Sequence, residues 1–256
     1  MNLKDIFKME MYKNFRDKPY IIMIFALATI AALTSIVALN LPPLFDNLMM
    51  WGEPEPYVNF LWMLFLFLVF FLTLGGTLFA ILYPFHLMNV DYKNKVMSLV
   101  FSSGVDRTNY YFVRIGATIL SCFLASLIIF FIPALLFLVF KTSDFSSFMG
   151  YFFTEFRLLD ILPFLLSTIF SLISMIVTLC AAVILTRGKV SGIFLYFGFS
   201  FGVSIFNNII LTMVRATQGS WFISPALQFN TMSVLYVCAS LLFGWVGLST
   251  LKKQDL

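Results

Sequence analysis

The run FLWMLFLFLVFFLTLGGTLFAILY, residues 60–83, has no charged residue anywhere in it. A helix rises about 1.5 Å per residue and the hydrocarbon core of a bilayer is about 30 Å thick, so roughly 20 such residues make a membrane-spanning helix. Six stretches meet that measure: 20–41, 59–85, 112–140, 161–185, 192–214 and 230–251. With 61% hydrophobic residues, 11% charged and 33 Phe in 256 positions, the chain could not hide its apolar surface as a water-soluble globule. The expectation is an all-α, polytopic membrane protein with six transmembrane helices.

Lys and Arg near span ends are retained on the cytoplasmic side. If both termini lie inside, all 16 basic residues except Lys141, Arg157 and Arg215 fall there, whereas the 12 acidic residues divide evenly between the two sides. Cytoplasmic termini are therefore expected. The net charge of +4 belongs to the inside loops and does not point to nucleic acid. The first apolar run is of spanning length, starts only at Tyr20 and offers no convincing small-x-small cleavage site, so no cleavable targeting segment is expected. Cys122, Cys180 and Cys238 fall in three different spans without metal or disulfide spacing and read as small apolar fillers.

Residues 1–19 place Leu3, Ile6, Phe7, Met11 and Phe15 along one helical stripe, with Lys4, Lys8, Lys13, Arg16 and Asp17 mostly opposite. That pattern predicts an amphipathic interfacial helix, either a surface anchor in the membrane lipids or an anchor that also meets a cytoplasmic partner. Pro19 can open the next helix, because a first turn leaves that N–H unpaired. The outer segment 41–58, with four prolines, reads as a non-helical cap, and 143–159 reads as a short surface helix. Between the last two spans, RATQGSWFISPALQFN combines helix breakers with apolar side chains. It fits a re-entrant turn buried in protein or an interfacial aromatic loop.

No GxxxxGK[ST] occurs, so the chain holds no phosphate-cradling loop, and any ATP-driven motor must be another chain. GFSFG at 198–202 matches the G-x-S-x-G of serine nucleophiles, but no base lies near Ser200 in sequence, and the only histidine, His86, lies at the cytoplasmic end of span two while Ser200 sits inside span five. The same glycines also suit close helix packing. The spans contain no Asp, Glu or Lys, which argues against ion-coupled pumping and leaves a path that is apolar, aromatic and hydroxyl-lined. There is no raw material for a two-histidine, Cys–His or paired-carboxylate metal site in them.

The segment VDYKNKVMSLVFSSGVDRTNYYFVR, residues 90–114, has a helical period of its own. Val96, Leu99 and Val100 recur at i, i+3, i+4, Asp91 stands at the acid-favouring front, and Gly104 can supply a positive-φ stop. An amphipathic helix over about 90–105, tied between spans two and three, can pass force to the membrane domain; the plainer alternative is a solvated loop. At these residues the chain resembles the permease subunits of ABC-2 type exporters. In that family an acid-led cytoplasmic helix precedes a turn motif with an arginine, an aromatic and a basic residue entering span three. Asp91, Arg107, Tyr110 or Tyr111, and Arg114 stand at those places; Gly104 replaces the family's proline and Asp106 its serine. The amphipathic N-terminus and FISPAL before the last span are similar too.

The resemblance implies a transmembrane permease domain over 20–256, working with a second permease copy or a homologous permease and with two copies of a P-loop ATPase. It implies ATPase coupling through Asp91, Val96, Leu99, Val100 and Arg107, no cofactor in this chain, and ATP and Mg bound by the partner ATPase. It further implies a Gram-positive plasma membrane and amphipathic peptides as cargo, toxins such as phenol-soluble modulins or antimicrobial peptides, with Phe67 and Phe197 as candidate walls of the path. Bacteriocin or antibiotic immunity export, and lipid or small-molecule export, remain alternatives within the family. An intramembrane serine protease or a passive scaffold would be readings outside it.

Overall fold

In the computed structural model, residues 3–40, 56–140, 158–218 and 224–254 are described, and they are almost wholly helical, without strands. In chain order the helices are α1 (Leu3–Arg16), α2 (Lys18–Asn40), α3 (Pro56–Lys93), α4 (Val96–Ser102), α5 (Arg107–Phe140), α6 (Leu158–Leu185), α7 (Ser191–Gln218) and α8 (Pro225–Lys253). Six of them carry apolar stretches long enough to cross a bilayer: Lys18–Val37, Met63–Lys93, Arg107–Ile129, Leu162–Leu185, Ser191–Thr217 and Ala226–Lys253. The chain is an all-α, six-span, multi-pass membrane protein. The readings of 41–58 and 143–159 lie outside the described residues, except where α3 and α6 take up their ends. So does 219–223, the centre of the re-entrant reading; the last span opens at Pro225, with Ser224 at its N-cap.

The chain forms two compact units. One comprises residues 16–80 and 122–152. In it α2 lies close on α3: the rings of Tyr20 and Phe79 are 6.0 Å apart, and a Cβ on Gly75 would come within 2.8 Å of Leu27.

The other unit comprises residues 1–15, 81–121 and 153–256. Its centre is α6, buried at every position from Ile176 through Ile184, where Thr178 is the one polar residue. α8 lies along α6, and α7 packs on both. The approach is closest at Gly247 of α8, where a Cβ would stand 2.6 Å from the Tyr111 hydroxyl and 3.3 Å from Cα of Ala181. Tyr111 in turn donates to the carbonyl of Gly244 at 3.0 Å. Small residues let helices approach where apolar burial gives no net drive, since lipid is as apolar as the neighbouring helix. The glycines that carry this packing are not those of GFSFG: Gly198 and Gly202 are exposed and have nothing within 4 Å of a would-be Cβ.

At one end of this unit α1, the last turn of α3, α4, the first turns of α5, the end of α6 and the end of α8 converge. Lys13 pairs with Asp91, Arg107 bonds Gln254, and the Gln254 amide donates to the Ile184 carbonyl at 2.7 Å. α1 and the end of α8 thus lie on the same face.

Candidate functional site

α3 runs further than the sequence reading placed it. Leu87, Met88 and Asp91 are buried one turn after another, so the helix keeps its grip on the bundle until Lys93. The chain then breaks at Lys95, which takes a left-handed conformation (φ 54°), and restarts as α4. The expected helix over 90–105 is therefore the seven-residue α4, and Gly104, at φ 84°, supplies the anticipated stop.

That boundary changes the position of Asp91. Instead of leading the short helix, it closes the long one and is fully buried. It pairs with Lys13 of α1 and stands 2.7 Å from the Arg114 guanidinium of α5, off the axis of a hydrogen bond. Arg114 also pairs with Glu10 of α1. Two cations and two anions make a neutral set, and Arg114, Glu10 and Asp91 are all within 1% of complete burial. Uncompensated, any one of those charges would cost several kcal/mol.

The face that α1 turns inward is accordingly Ile6, Glu10 and Asn14, spaced i, i+4, i+8. The Asn14 amide donates to Ser121 at 3.0 Å, and the Tyr83 hydroxyl donates to the Asn14 carbonyl at 3.3 Å. Of the expected apolar stripe, Ile6 is buried, while Leu3 and Phe15 stay on the outer surface. α1 is amphipathic, yet it is held to α3 and α5 by ion pairs and is not merely laid on lipid. Glu10 and Asn14 are the residues that sequence reasoning passed over, while Lys13 was read only as part of the polar face. The only local trace of them is the i, i+4, i+8 spacing of Ile6, Glu10 and Asn14.

Arg107 opens α5 and caps α8. One guanidinium nitrogen donates to the carbonyls of Leu251 (3.1 Å), Lys252 (2.9 Å) and Gln254 (2.8 Å), where the last carbonyls of a helix have no partner of their own and a cation suits the dipole. The guanidinium also lies 5.4 Å from the centre of the Phe101 ring, and Phe101 meets Tyr110 edge-on at 5.4 Å. α4 is thus fastened from below through Met97, which is buried, and through Phe101. Val96 and Val100 are half-buried at its flanks, and Leu99 points outward with 67% of its surface exposed.

The remaining sequence candidates lie elsewhere. Phe67, on α3, is 58% exposed and packs on Phe71 at 4.5 Å. Phe197, on α7, is 51% exposed and does not line the cavity that its neighbours Tyr196 and Ser200 share. Ser200 has neither a histidine nor an acid beside it in that cavity. Among the described residues no three of His, Cys, Asp and Glu gather as a metal-binding group. Compared with family models, curated protein sequences and solved structures, the chain finds no match.

Proposed function

We propose that this chain is the membrane-spanning permease subunit of an ATP-driven ABC-2 type exporter, with amphipathic or hydrophobic peptides as cargo and the plasma membrane of a Gram-positive bacterium as its location. Two copies of a P-loop ATPase would dock on the basic, cytoplasmic face, and a second permease would complete the path. The observation that supports this best is α4: a short helix offering the isolated apolar side chain of Leu99 outward while its underside is tied, through Phe101 and Arg107, to the end of α8. A push on α4 therefore reaches two spanning helices without passing through a soft loop. In this reading Leu99, Val96 and Val100 meet the motor, whereas Asp91 and Arg107 transmit by holding the helix ends in place. Phe-rich outward faces such as that of α7 would offer an amphipathic helix large contact area with little directional bonding.

The test is to purify the chain together with the P-loop ATPase encoded beside it, and to measure ATP hydrolysis in vesicles with and without an amphipathic helical peptide. Co-purification with peptide-stimulated hydrolysis supports the proposal. Absence of any bound ATPase, or stimulation by small polar solutes alone, overturns it.

A further inference from the structure

Between α6, α7 and α8, at mid-depth of the spans, lies a cavity of about 210 Å³. One stripe of α6 (Ser171, Ser174, Thr178) faces one stripe of α7 (Ser200, Ser204, Asn207) across it, with Tyr196 and Tyr236 closing the sides. No charged residue lines it.

Hydroxyls on membrane helices ordinarily bond back to their own helix, and in this chain Thr34, Thr118, Ser126, Thr168, Ser233 and Ser240 do so. Ser171, Ser174, Thr178, Ser200 and Ser204 make no such bond among the described residues. Asn207 is 9% exposed and lines the cavity, and its side-chain amide makes no hydrogen bond among the described residues. Ser174, Thr178 and Asn207 are buried, and buried polar groups in native proteins are nearly always satisfied, so their unspent hydroxyls and amide mark a place where a hydrogen-bonding group belongs.

We infer that this cavity is a binding site for an uncharged polyol group, such as the glycerol or single-sugar head of a lipid. The walls choose among the alternatives. A charged ligand would find no counter-charge, and in these surroundings an isolated ion is strongly disfavoured. An apolar ligand would leave Asn207 and the hydroxyls dry. A peptide helix is about 10 Å across and cannot enter, and one inserted side chain would meet only one or two of the polar groups. The volume is that of about seven waters, enough for one small ring or a short hydroxylated chain that both donates and accepts. The hydroxyls supply both roles, and the Asn207 amide can donate as well as accept. The site is independent of the exporter reading.

The experiment uses the full chain in phosphatidylcholine nanodiscs prepared without sugar detergent. Octyl β-glucoside is titrated below its micellar concentration and binding is followed by native mass spectrometry, beside octyl phosphate, octylammonium and free glucose. Saturable binding of octyl glucoside, at least tenfold tighter than either charged octyl probe, is expected. Equal binding of free glucose would assign the site to soluble polyols, and weaker binding to lipid heads; either supports a polyol site. Asn207→Leu should weaken binding at least tenfold. Thr178→Val and Ser204→Ala, which keep side-chain size nearly constant and guard against a misfolded variant, should each weaken it severalfold. No saturable binding, equal binding of all octyl probes, or unchanged binding in all three variants overturns the assignment and leaves a water-filled cavity.

Discussion

The Arg107 guanidinium donates to the main-chain carbonyl of Gln254 across 2.8 Å, so the residue that opens α5 terminates α8 147 positions later in the chain. Gln254 is itself buried, receiving a hydrogen bond from the Tyr92 hydroxyl at 3.0 Å and giving one to Ile184. The end of the last helix is therefore locked to α3, α5 and α6 together.

Arg107→Ala should free that end. Hydrogen bonds from a charged donor are each worth about 1.5–3 kcal/mol where buried, and the partial exposure of this one reduces the total loss to about 1–2 kcal/mol. Amide hydrogen exchange at 251–254 should quicken and the thermal midpoint should fall. Arg107→Lys, a point charge without the planar fork, should recover only part of the loss. Unchanged exchange in the Ala variant would show that Arg107 does not cap α8.

Leu99→Asp separates docking from folding. Leu99 is 67% exposed, so the carboxylate stays in water in the free chain, and the thermal midpoint should move by less than about 0.5 kcal/mol equivalent. Buried against an ATPase, the same unpaired carboxylate should cost several kcal/mol. The variant should insert normally yet lose the ATPase on purification. Normal recovery of the complex together with normal export would sink the role given to α4.

Phe67→Ala and Phe197→Ala address the cargo path. Both rings are more than half exposed, so neither truncation empties a packed core, and stability should be nearly unchanged. Export of several unrelated amphipathic peptides should fall together, because aromatic and flexible apolar surfaces sort by size and hydrophobicity more than by sequence. Loss of a single peptide, with the others unaffected, would contradict a shared aromatic wall.

The six spans were legible because lipid imposes a local rule: about twenty apolar residues in a row need no knowledge of what they pack against. Gly104 was legible for a similar reason, as a turn constraint on one residue. The start of α4 was not, since it depends on Asp91 remaining buried with α3, and that burial depends on Lys13 and Arg114 at separations of 78 and 23 positions. α1 was half legible. Its amphipathic period was plain, but which face turns inward is decided by Glu10 meeting Arg114, 104 positions away. Hydropathy ranks Glu10 and Asn14 as outward residues, whereas ion pairing and the Ser121 hydrogen bond turn them in. A hydroxyl-lined path was legible only in general terms; that Ser and Thr of α6 face Ser and Asn of α7 across a cavity was not, because the pairing of the two helices is a tertiary fact.

The pairing of Glu10 with Arg114 decides what α1 is for. If α1 were only a surface anchor, its ion pairs would be exposed, and removing one would cost about 0–1 kcal/mol. Here Arg114, Glu10 and Asp91 are buried, and removing one partner should cost about 3–5 kcal/mol because the other charge stays behind. Glu10→Gln leaves Lys13 and Arg114 facing Asp91 alone, an excess of positive charge. Arg114→Met leaves Glu10 and Asp91 facing Lys13, an excess of negative charge. The double variant keeps the Lys13–Asp91 pair and restores neutrality. It should therefore be less destabilised than the sum of the single changes, by about 1–3 kcal/mol, as groups in one network couple. Unfolding of the four proteins in matched bilayers measures the coupling, and hydrogen exchange at residues 6–14 locates it. In each single variant α1 should exchange faster while α6 and α8 keep their protection. Strictly additive losses of under about 1 kcal/mol would return α1 to the role of a lipid-surface anchor.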